Sequence, residues 1–243
     1  MEDLEFIEEL NLTFKNNGLS KLLTTDASER FLLLTKRMLE ENEKYNLTAI
    51  KEPKRIILNH YCDCAVISEN ISEGASVADI GCGAGFPTLP LAILRPDLKI
   101  TGIDSTAKRI NYVSETARLL GLSNIRAIAM RAEDGARMPD MRERFDYSTA
   151  RAVAELRILT ELCLPYVKIG GKMIAMKGRS ADEELSCAMR SIEVLGGKLE
   201  TKKEIALIGD GETLSHPLIV IKKAKPTDKA YPRPYAKILK KPL

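Results

Sequence analysis

The sequence predicts an α/β fold in which a doubly wound sheet of seven strands follows a small helical N-terminal extension. From residue 75 onward, short apolar runs alternate with helical stretches, as in parallel strands joined by crossover helices. Before residue 60, apolar residues recur at spacings near three and four, which indicates helices with one buried face. A glycine-rich loop follows the first strand, at the edge where such sheets bind ligands.

Two groups of apolar residues predict the N-terminal helices. They are Leu4, Ile7 and Leu10, followed by Phe31, Leu34, Met38 and Leu39. A turn is predicted at Tyr45-Asn46, and Pro53 is predicted to open a short helix that continues through His60 and the cysteine pair, Cys62 and Cys64. We therefore assign residues 1–70 to a helical extension.

The predicted sheet domain occupies residues 71–224, and a basic C-terminal tail occupies residues 225–243. The first five strands are expected at 75–80, 99–104, 125–130, 145–150 and 171–177, and the helices at 86–94, 107–120, 155–167 and 181–195. Two further strands, 198–208 and 216–224, are joined by a polar loop too short for a crossover helix. We expect this last pair to be antiparallel.

The composition is that of a folded globular protein. Of 243 residues, 44% are hydrophobic and 29% are charged, which excludes a disordered chain and a disulfide-dense mini-protein. No apolar run approaches the ~18 residues of a membrane helix, and the acidic start MEDLEFIEEL differs from a signal peptide. Five scattered cysteines suit a reducing compartment. We expect a cytoplasmic monomer with no membrane partner.

Basic residues are concentrated near the C-terminus, although the net charge is only +3. Residues 222–243 carry eight bases against the single acid Asp228, and tyrosines are interleaved with them. Stacking rings beside positive charges suit an RNA partner, whereas the alternative is a solvated basic tail with incidental tyrosines. The candidates for RNA binding are Lys177, Arg179, Lys229, Tyr231, Arg233, Lys237, Lys240 and Lys241.

The glycine-rich loop reads Asp79-Ile80-Gly81-Cys82-Gly83-Ala84-Gly85-Phe86-Pro87. Glycines permit a tight turn and remove the Cβ atoms that would keep a ligand away from the backbone. A dinucleotide fingerprint would need glycine where Phe86 stands. The pattern acidic-x-Gly-x-Gly-x-Gly instead resembles motif I of the S-adenosylmethionine-dependent methyltransferases. On that resemblance the candidates for cofactor binding are Asp79, Gly81, Gly83, Gly85 and Phe86.

Polar residues at the ends of the next strands fit the same ligand. Asp104 ends the second strand, where a carboxylate can accept both ribose hydroxyls, or alternatively begins a helix as an ordinary acid. Ala132 and Glu133 follow the third strand and are candidates for the adenine end, although Glu133 could be a solvated loop acid. Arg151 follows the fourth strand, where a guanidinium can hold phosphate or carboxylate.

The residues after the fourth strand indicate which kind of nitrogen atom receives the methyl group. Methyltransferases of exocyclic amines often carry an Asn/Asp-Pro-Pro-Tyr sequence there, whereas this chain has Thr149-Ala150-Arg151-Ala152. A ring nitrogen with a free lone pair, such as guanine N7, carries no proton to remove. Such an acceptor requires alignment and tolerance of positive charge rather than a general base.

A series of motifs runs in order along most of the chain. It comprises Asn46-Leu47-Thr48-Ala49-Ile50, His60 with Asp63, ADIGCGAGFP at 78–87, Asp104-Ser105 with Lys108-Arg109, Arg131-Ala132-Glu133, Ala150-Arg151-Ala152-Val153, Lys177-Gly178, Tyr231-Pro232-Arg233 and Lys241-Pro242-Leu243. Together they resemble the RsmG (GidB) family of bacterial methyltransferases, which modify guanine N7 in 16S ribosomal RNA.

This resemblance implies a Rossmann-like class I fold and S-adenosylmethionine as cofactor. The implied substrate is position 527 near the decoding centre, in free 16S ribosomal RNA or in the small ribosomal subunit. Cofactor contacts are implied for Gly81, Phe86, Ala132, Glu133 and Arg151. The chain departs from the family in lacking tryptophan, in having Cys64 in place of serine, and in Ala236 and Ile238 replacing glycine and proline.

No residue is identified with certainty as catalytic. Asp63 or His60 could orient the target base or balance its charge, Arg151 is a third candidate, and a helix-terminal polar pair is the alternative. His60, Cys62 and Cys64 lack the spacing of metal ligands, so we expect no metal. The rival functions are a small-molecule methyltransferase, a nucleotide-dependent oxidoreductase and a non-catalytic RNA-binding module.

Overall fold

A seven-stranded sheet lies at the centre of the computed structural model, which describes residues 1–45, 47–151, 153–178 and 180–243. The strands are β1 (Ser76–Ile80), β2 (Lys99–Asp104), β3 (Ile125–Ala129), β4 (Phe145–Arg151), β5 (Val167–Met176), β6 (Gly197–Gly209) and β7 (Glu212–Lys223). Their order is β3-β2-β1-β4-β5-β7-β6. The first five strands are parallel, and β7 is antiparallel to both of its neighbours. The predicted doubly wound sheet is therefore confirmed.

Helices cover both faces of this sheet. They are α1 (Asp3–Asn16), α2 (Thr25–Tyr45), α3 (Pro53–Ile56), α4 (Asp63–Ser68), α5 (Thr88–Leu94), α6 (Ala107–Leu119), α7 (Ala132–Gly135), α8 (Leu156–Cys163), α9 (Ala181–Val194) and α10 (Tyr235–Lys240). A π-helical turn, Ile57–Cys62, joins α3 to α4. The N-terminal helices share one apolar core with α5 and α6, whereas α8, α9 and α10 enclose the core on the other face.

Two predicted boundaries differ from the structure around residue 165. The helix predicted at 155–167 ends at Cys163 and passes into a 3₁₀ turn, Leu164–Tyr166, because Pro165 has no amide hydrogen for a helical bond. The next strand begins at Val167 rather than 171 and continues through a register irregularity opposite residues 145–147. At Gly171 a Cβ atom would lie 2.4 Å from the carbonyl oxygen of Asp146, so glycine is required there.

The last two strands form a long antiparallel hairpin, as predicted. β7 begins at Glu212, four residues earlier than expected, because the connection is a tight turn at Asp210 and Gly211. Both residues have positive φ, 50° and 71°, as a type I′ hairpin turn requires.

The segment predicted as a separate helical extension is packed onto the sheet domain. Phe31 of α2 and Tyr61 of the π-helical turn lie with ring centroids 4.4 Å apart, and Tyr61 in turn lies near Phe86 in the glycine-rich loop. The side chain of Asn17 exchanges hydrogen bonds with the backbone of Ile208 in β6. Residues 1–70 therefore help to position the loop at the carboxyl ends of the strands. Asn46, part of the predicted turn, lies outside the described residues.

The predicted basic tail is a packed segment, which we call the C-terminal strap (residues 225–243). The guanidinium of Arg142 donates hydrogen bonds to the carbonyls of Thr227, Asp228 and Tyr231 at 2.8–3.1 Å. Ile238 of α10 is fully buried. A truncation before Lys225 would therefore expose core surface as well as remove charge.

Two of the eight bases of residues 222–243 point into the protein. One is Lys223 at the end of β7, and the other is Arg233 in the strap. Lys223 is fully buried, and its ammonium donates to the carbonyls of Leu164 and Leu195 at 3.0 and 3.2 Å. Burial lowers the pKa of Lys223 to about 8. Arg233 makes a bidentate ion pair with the fully buried Glu161, at 2.9 Å from Nε and 2.6 Å from Nη2. The guanidinium of Arg233 therefore neutralises a buried acid, and its contact with RNA stays a prediction.

Replacing Arg233 by methionine should destabilise the whole domain. Glu161 would keep only the hydrogen bond from the backbone amide of residue 233, and a buried carboxylate without its counter-ion costs about 3 to 5 kcal/mol. Urea denaturation measures this loss of free energy of unfolding. Lys237→Met removes an exposed charge from the same strap and is the control. Equal stability of the two variants would contradict the assigned role.

Candidate functional site

A cavity of about 480 Å³ opens above the carboxyl ends of β1, β2, β3 and β4. It lies at the point where the strand order reverses between β1 and β4, which is where open α/β sheets bind ligands. Its volume lies within the range of small-molecule sites. Seven of the residues predicted for cofactor binding line it: Gly81, Gly83, Phe86, Asp104, Ala132, Glu133 and Arg151.

Asp104 holds the glycine-rich loop in its open shape. Its Oδ2 accepts a hydrogen bond from the amide of Gly83 at 3.0 Å, and its Oδ1 accepts one from the amide of Thr106 at 2.8 Å. Gly81 and Gly83 have φ values of 72° and 55°, which side-chain-bearing residues rarely adopt. The carboxylate therefore lies at the wall of the cavity with lone pairs left for further donors.

Asp79 supports the loop from below and does not line the cavity. It is fully buried, and its carboxylate accepts hydrogen bonds from the hydroxyls of Thr88 at 2.6 Å and Thr149 at 3.0 Å. Gly85 also lies away from the cavity, where a Cβ atom would collide with Leu89. Asp79 and Gly85, both predicted to bind the cofactor, therefore lie beneath the cavity wall. Asp79 bonds to α5 and β4, and Gly85 packs against α5.

The pH dependence of stability provides a test of the buried Asp79. Burial raises its pKa to about 6 from 3.8, although the bonds from Thr88 and Thr149 oppose the shift. Since the folded protein holds the proton more tightly than the unfolded chain, the free energy of unfolding falls as the pH rises from about 4 to about 6. Asp79→Asn should lack this fall of up to about 3 kcal/mol. Urea titrations at several pH values measure it, and parallel profiles for the two proteins would contradict the raised pKa.

The three candidate catalytic residues form one cluster, and two of them, His60 and Arg151, line the cavity. Nη1 of Arg151 donates to Oδ2 of Asp63 at 3.0 Å and to the carbonyl of Asn59 at 2.9 Å, and Nη2 lies 2.6 Å from Nδ1 of His60. The guanidinium carbon lies 5.6 Å from the ring centroid of Phe86, on which the His60 ring stacks at 4.5 Å. Together these contacts hold Arg151 in one orientation at the wall.

The hydrogen bonds fix the state of His60. Because guanidinium nitrogens only donate, Nδ1 of His60 accepts, and the proton is on Nε2, which lies 3.1 Å from the hydroxyl of Thr48. Burial and the neighbouring Arg151 lower the pKa of His60 to about 3. A neutral imidazole whose acceptor is already occupied is not suited to act as a general base.

His216 was missed in the sequence because it is distant from the motifs. It lies in β7, and its Nε2 makes a close contact with Oδ1 of Asp63. Burial lowers the pKa of His216, but the hydrogen bond and charge of Asp63 outweigh it, so the net shift is upward. Asp63 is therefore held between two basic groups, on β4 and β7.

The predicted RNA-binding residues divide into paired and exposed groups. The ammonium of Lys177 is paired with Glu184 at 2.6 Å and donates to the carbonyl of Ala154, so it is engaged within the protein. Tyr231 is half-buried against the core, and Arg179 lies outside the described residues. The exposed members are Lys229, Lys237, Lys240 and Lys241.

Two further properties of the described residues concern metal ligands and membrane-spanning helices. Within residues 1–45, 47–151, 153–178 and 180–243, no three His, Cys, Asp or Glu side chains are grouped as metal ligands. Over the same ranges, no helix has both the length and the apolar character to cross a membrane.

Some residues of the cavity were missed by sequence reasoning. Thr48, Arg109 and Tyr235 all line it. Gly102 in β2 also matters, because a Cβ atom there would lie 3.1 Å from the hydroxyl of Thr88 and 3.2 Å from the sulfur of Cys82. A glycine inside a predicted strand was the available signal for such a close approach.

Comparison with known proteins identifies related chains. The family model GidB, described as rRNA small subunit methyltransferase G, matches residues 27–207. A ribosomal RNA small subunit methyltransferase G of Clostridium perfringens is 44% identical over 220 residues, covering 90% of this chain and 91% of the relative. The protein of the same name from Clostridium beijerinckii is 40% identical over 242 residues, covering 99% of this chain and 100% of the relative.

Solved structures share the fold at low sequence identity. An S-adenosylmethionine-dependent O-methyltransferase from Thermotoga maritima gives a TM-score of 0.53 at 15% identity, covering 79% of this chain and 72% of that chain. A precorrin-6y C5,15-methyltransferase from Geobacter metallireducens gives 0.51 at 14% identity, covering 74% and 92%. These similarities support the class I methyltransferase fold predicted for the sheet.

Proposed function

Because this chain belongs to the rRNA small subunit methyltransferase G (GidB) family, we propose that it transfers the methyl group of S-adenosylmethionine to guanine N7 of 16S ribosomal RNA. The proposed position is 527, near the decoding centre. The geometric observation that carries the proposal is the cavity formed by the glycine-rich loop, with Asp104 at its wall.

The residues present fit S-adenosylmethionine. The Asp104 carboxylate, with lone pairs remaining, suits the two hydroxyls of a ribose, and the bare backbone at Gly81 and Gly83 allows close approach of the amino-acid part. Ala132 offers a small apolar surface for a purine, and Glu133 lies beside it as an acceptor for an amine. When bound, the cofactor supplies an electrophilic methyl group on a sulfonium.

The polar cluster suits an acceptor that needs no deprotonation. Guanine N7 attacks with a free lone pair, so the protein has to align the base and tolerate the arriving positive charge. His60 is neutral and Asp63 is fully engaged, which leaves Arg151 as the group of this cluster that lines the cavity with free donor capacity. We propose that Arg151 donates a hydrogen bond to an oxygen atom of the substrate and so orients the substrate. His60 and Asp63 would hold Arg151 in position.

Two exposed lysines of the C-terminal strap lie on a helix that contributes to the cavity wall. Tyr235, the first residue of α10, lines the cavity, and Lys237 and Lys240 lie on the same short helix. Ammonium groups at this edge suit the phosphates that flank a target base. We therefore propose the strap lysines as part of the RNA-binding surface.

Mapping of a labelled methyl group tests the function. Purified protein is incubated with labelled S-adenosylmethionine and with naked 16S ribosomal RNA or small subunits from a strain lacking the gene. Label at a guanine N7 supports the proposal, and the two substrates report which form the protein accepts. Methyl transfer to a small metabolite but never to RNA would support the small-molecule alternative instead.

Removing two strap lysines should weaken RNA binding without changing cofactor affinity. For Lys237→Met combined with Lys240→Met, we expect the slope of log affinity against log salt to become less steep by about 1.4 to 1.8, since two phosphate contacts are lost. Filter binding at several salt concentrations measures it. The control, Lys15→Met with Lys21→Met, removes the same charge from the N-terminal segment. Equal slopes for the two double variants would contradict the strap surface.

A further inference from the structure

We propose that Tyr235 of the C-terminal strap is a cofactor-contacting residue whose ring closes the adenine end of the cavity. This inference rests on the proposed function and adds a residue that lies beyond the segment matched by the family model, residues 27–207. The strap thereby acquires a role in cofactor binding in addition to its lysines.

Tyr235 lies where an adenine ring would be held. It lines the cavity together with Ala132 and Leu162, and all three residues belong to the same apolar cluster. α10 packs on α8, whose residue Leu162 contributes to the wall. Tyr235 is half-buried, so part of its surface is supported by the core and part remains available to a ligand.

The direction of the cofactor follows from the strand order. Asp104 ends β2, and the neighbouring strand on the outer side is β3, which is followed by Ala132. A ribose bound at Asp104, with its amino-acid part at the glycine-rich loop above β1, directs its base towards the end of β3. Aromatic and small apolar side chains are the surfaces on which purine rings stack. Tyr235 lines the same cavity as Ala132 and belongs to the same apolar cluster, so its ring is available to a base directed towards Ala132.

The strap holds this tyrosine from both directions along the chain. Two residues before it, Arg233 is bound to the buried Glu161, and three residues after it, Ile238 is fully buried. A side chain fixed in this way loses little additional freedom when it stacks on a ligand. The ring is therefore positioned before the cofactor arrives.

Calorimetric titration with S-adenosylhomocysteine tests the inference on the full chain. Tyr235→Leu keeps apolar volume but removes the aromatic ring, and we expect about a tenfold weaker affinity. Tyr235→Phe keeps the ring and should bind within about twofold of the wild type. Leu239→Ala changes an exposed residue, 51% accessible, on the same helix and should leave the affinity unchanged. Thermal unfolding without ligand verifies that the three variants are folded.

The outcomes separate this inference from the proposed function. Wild-type protein that does not bind S-adenosylhomocysteine would overturn the proposed function and this inference with it. Wild-type binding with an unchanged affinity for Tyr235→Leu would overturn this inference alone. An equal loss in Tyr235→Phe and Tyr235→Leu would also overturn it, because the hydroxyl group rather than the ring would then make the contact.

Discussion

Replacing Gly81 by alanine is expected to weaken the binding of S-adenosylhomocysteine by at least about 30-fold, or about 2 kcal/mol. Gly81 has a φ of 72°, and a Cβ atom there would lie 2.7 Å from Cγ2 of Val153, another residue of the cavity wall. The loop or Val153 must move, and either movement changes the surface on which the cofactor lies. Calorimetry measures the affinity.

A glycine with the same backbone conformation provides the control. Gly211, in the β6–β7 turn, has a φ of 71°, and its Cβ position has no neighbour within 4 Å. Both alanine variants carry the strain of a left-handed residue, about 1 to 2 kcal/mol of stability, but only one of them meets Val153. Equal cofactor affinities for Gly81→Ala and Gly211→Ala would contradict the assignment of the glycine-rich loop to the cofactor-binding site.

Replacing Arg151 by methionine should abolish methyl transfer and lower the free energy of unfolding by about 3 kcal/mol. The change leaves the carboxylate of Asp63 without its guanidinium partner and Nδ1 of His60 without a donor, in a place where all three side chains are largely buried. Urea denaturation and transfer of labelled methyl to RNA measure the two effects.

A double variant separates the structural effect from the functional one. Asp63→Leu combined with Arg151→Met removes both members of the buried ion pair, and we expect most of the lost stability to return. Methyl transfer should not return, because the guanidinium of Arg151 is still missing from the cavity wall. Activity of the double variant near that of the wild type would contradict the role assigned to Arg151.

The strand pattern and the glycine-rich loop were predictable because both are local. Apolar runs of five or six residues placed β1, β2 and β3 within a residue or so of their observed bounds. The same alternation placed Asp104 at a strand end, so that its position at the cavity followed from the fold class.

The contacts that the sequence did not reveal join residues far apart in the chain. Asp63 is the first residue of α4 and His216 lies in β7, and Arg233 meets Glu161 across 72 residues. The hydrophobic periodicity of a short segment gives no information about such long-range pairs. The sequence predicts one charged surface for the basic C-terminal residues, because sequence alone does not distinguish an exposed lysine from a buried one. Lys223 is fully buried in the core.

The ion pair between Arg233 and Glu161 has a consequence for the nascent chain. Glu161 is synthesised 72 residues before the group that neutralises it, so during translation α8 carries an acid that has no partner. The face of the sheet covered by α8 and α9 cannot acquire its final packing until the C-terminal strap has left the ribosome. Completion of the cofactor cavity is thereby tied to synthesis of the strap, which supplies Tyr235.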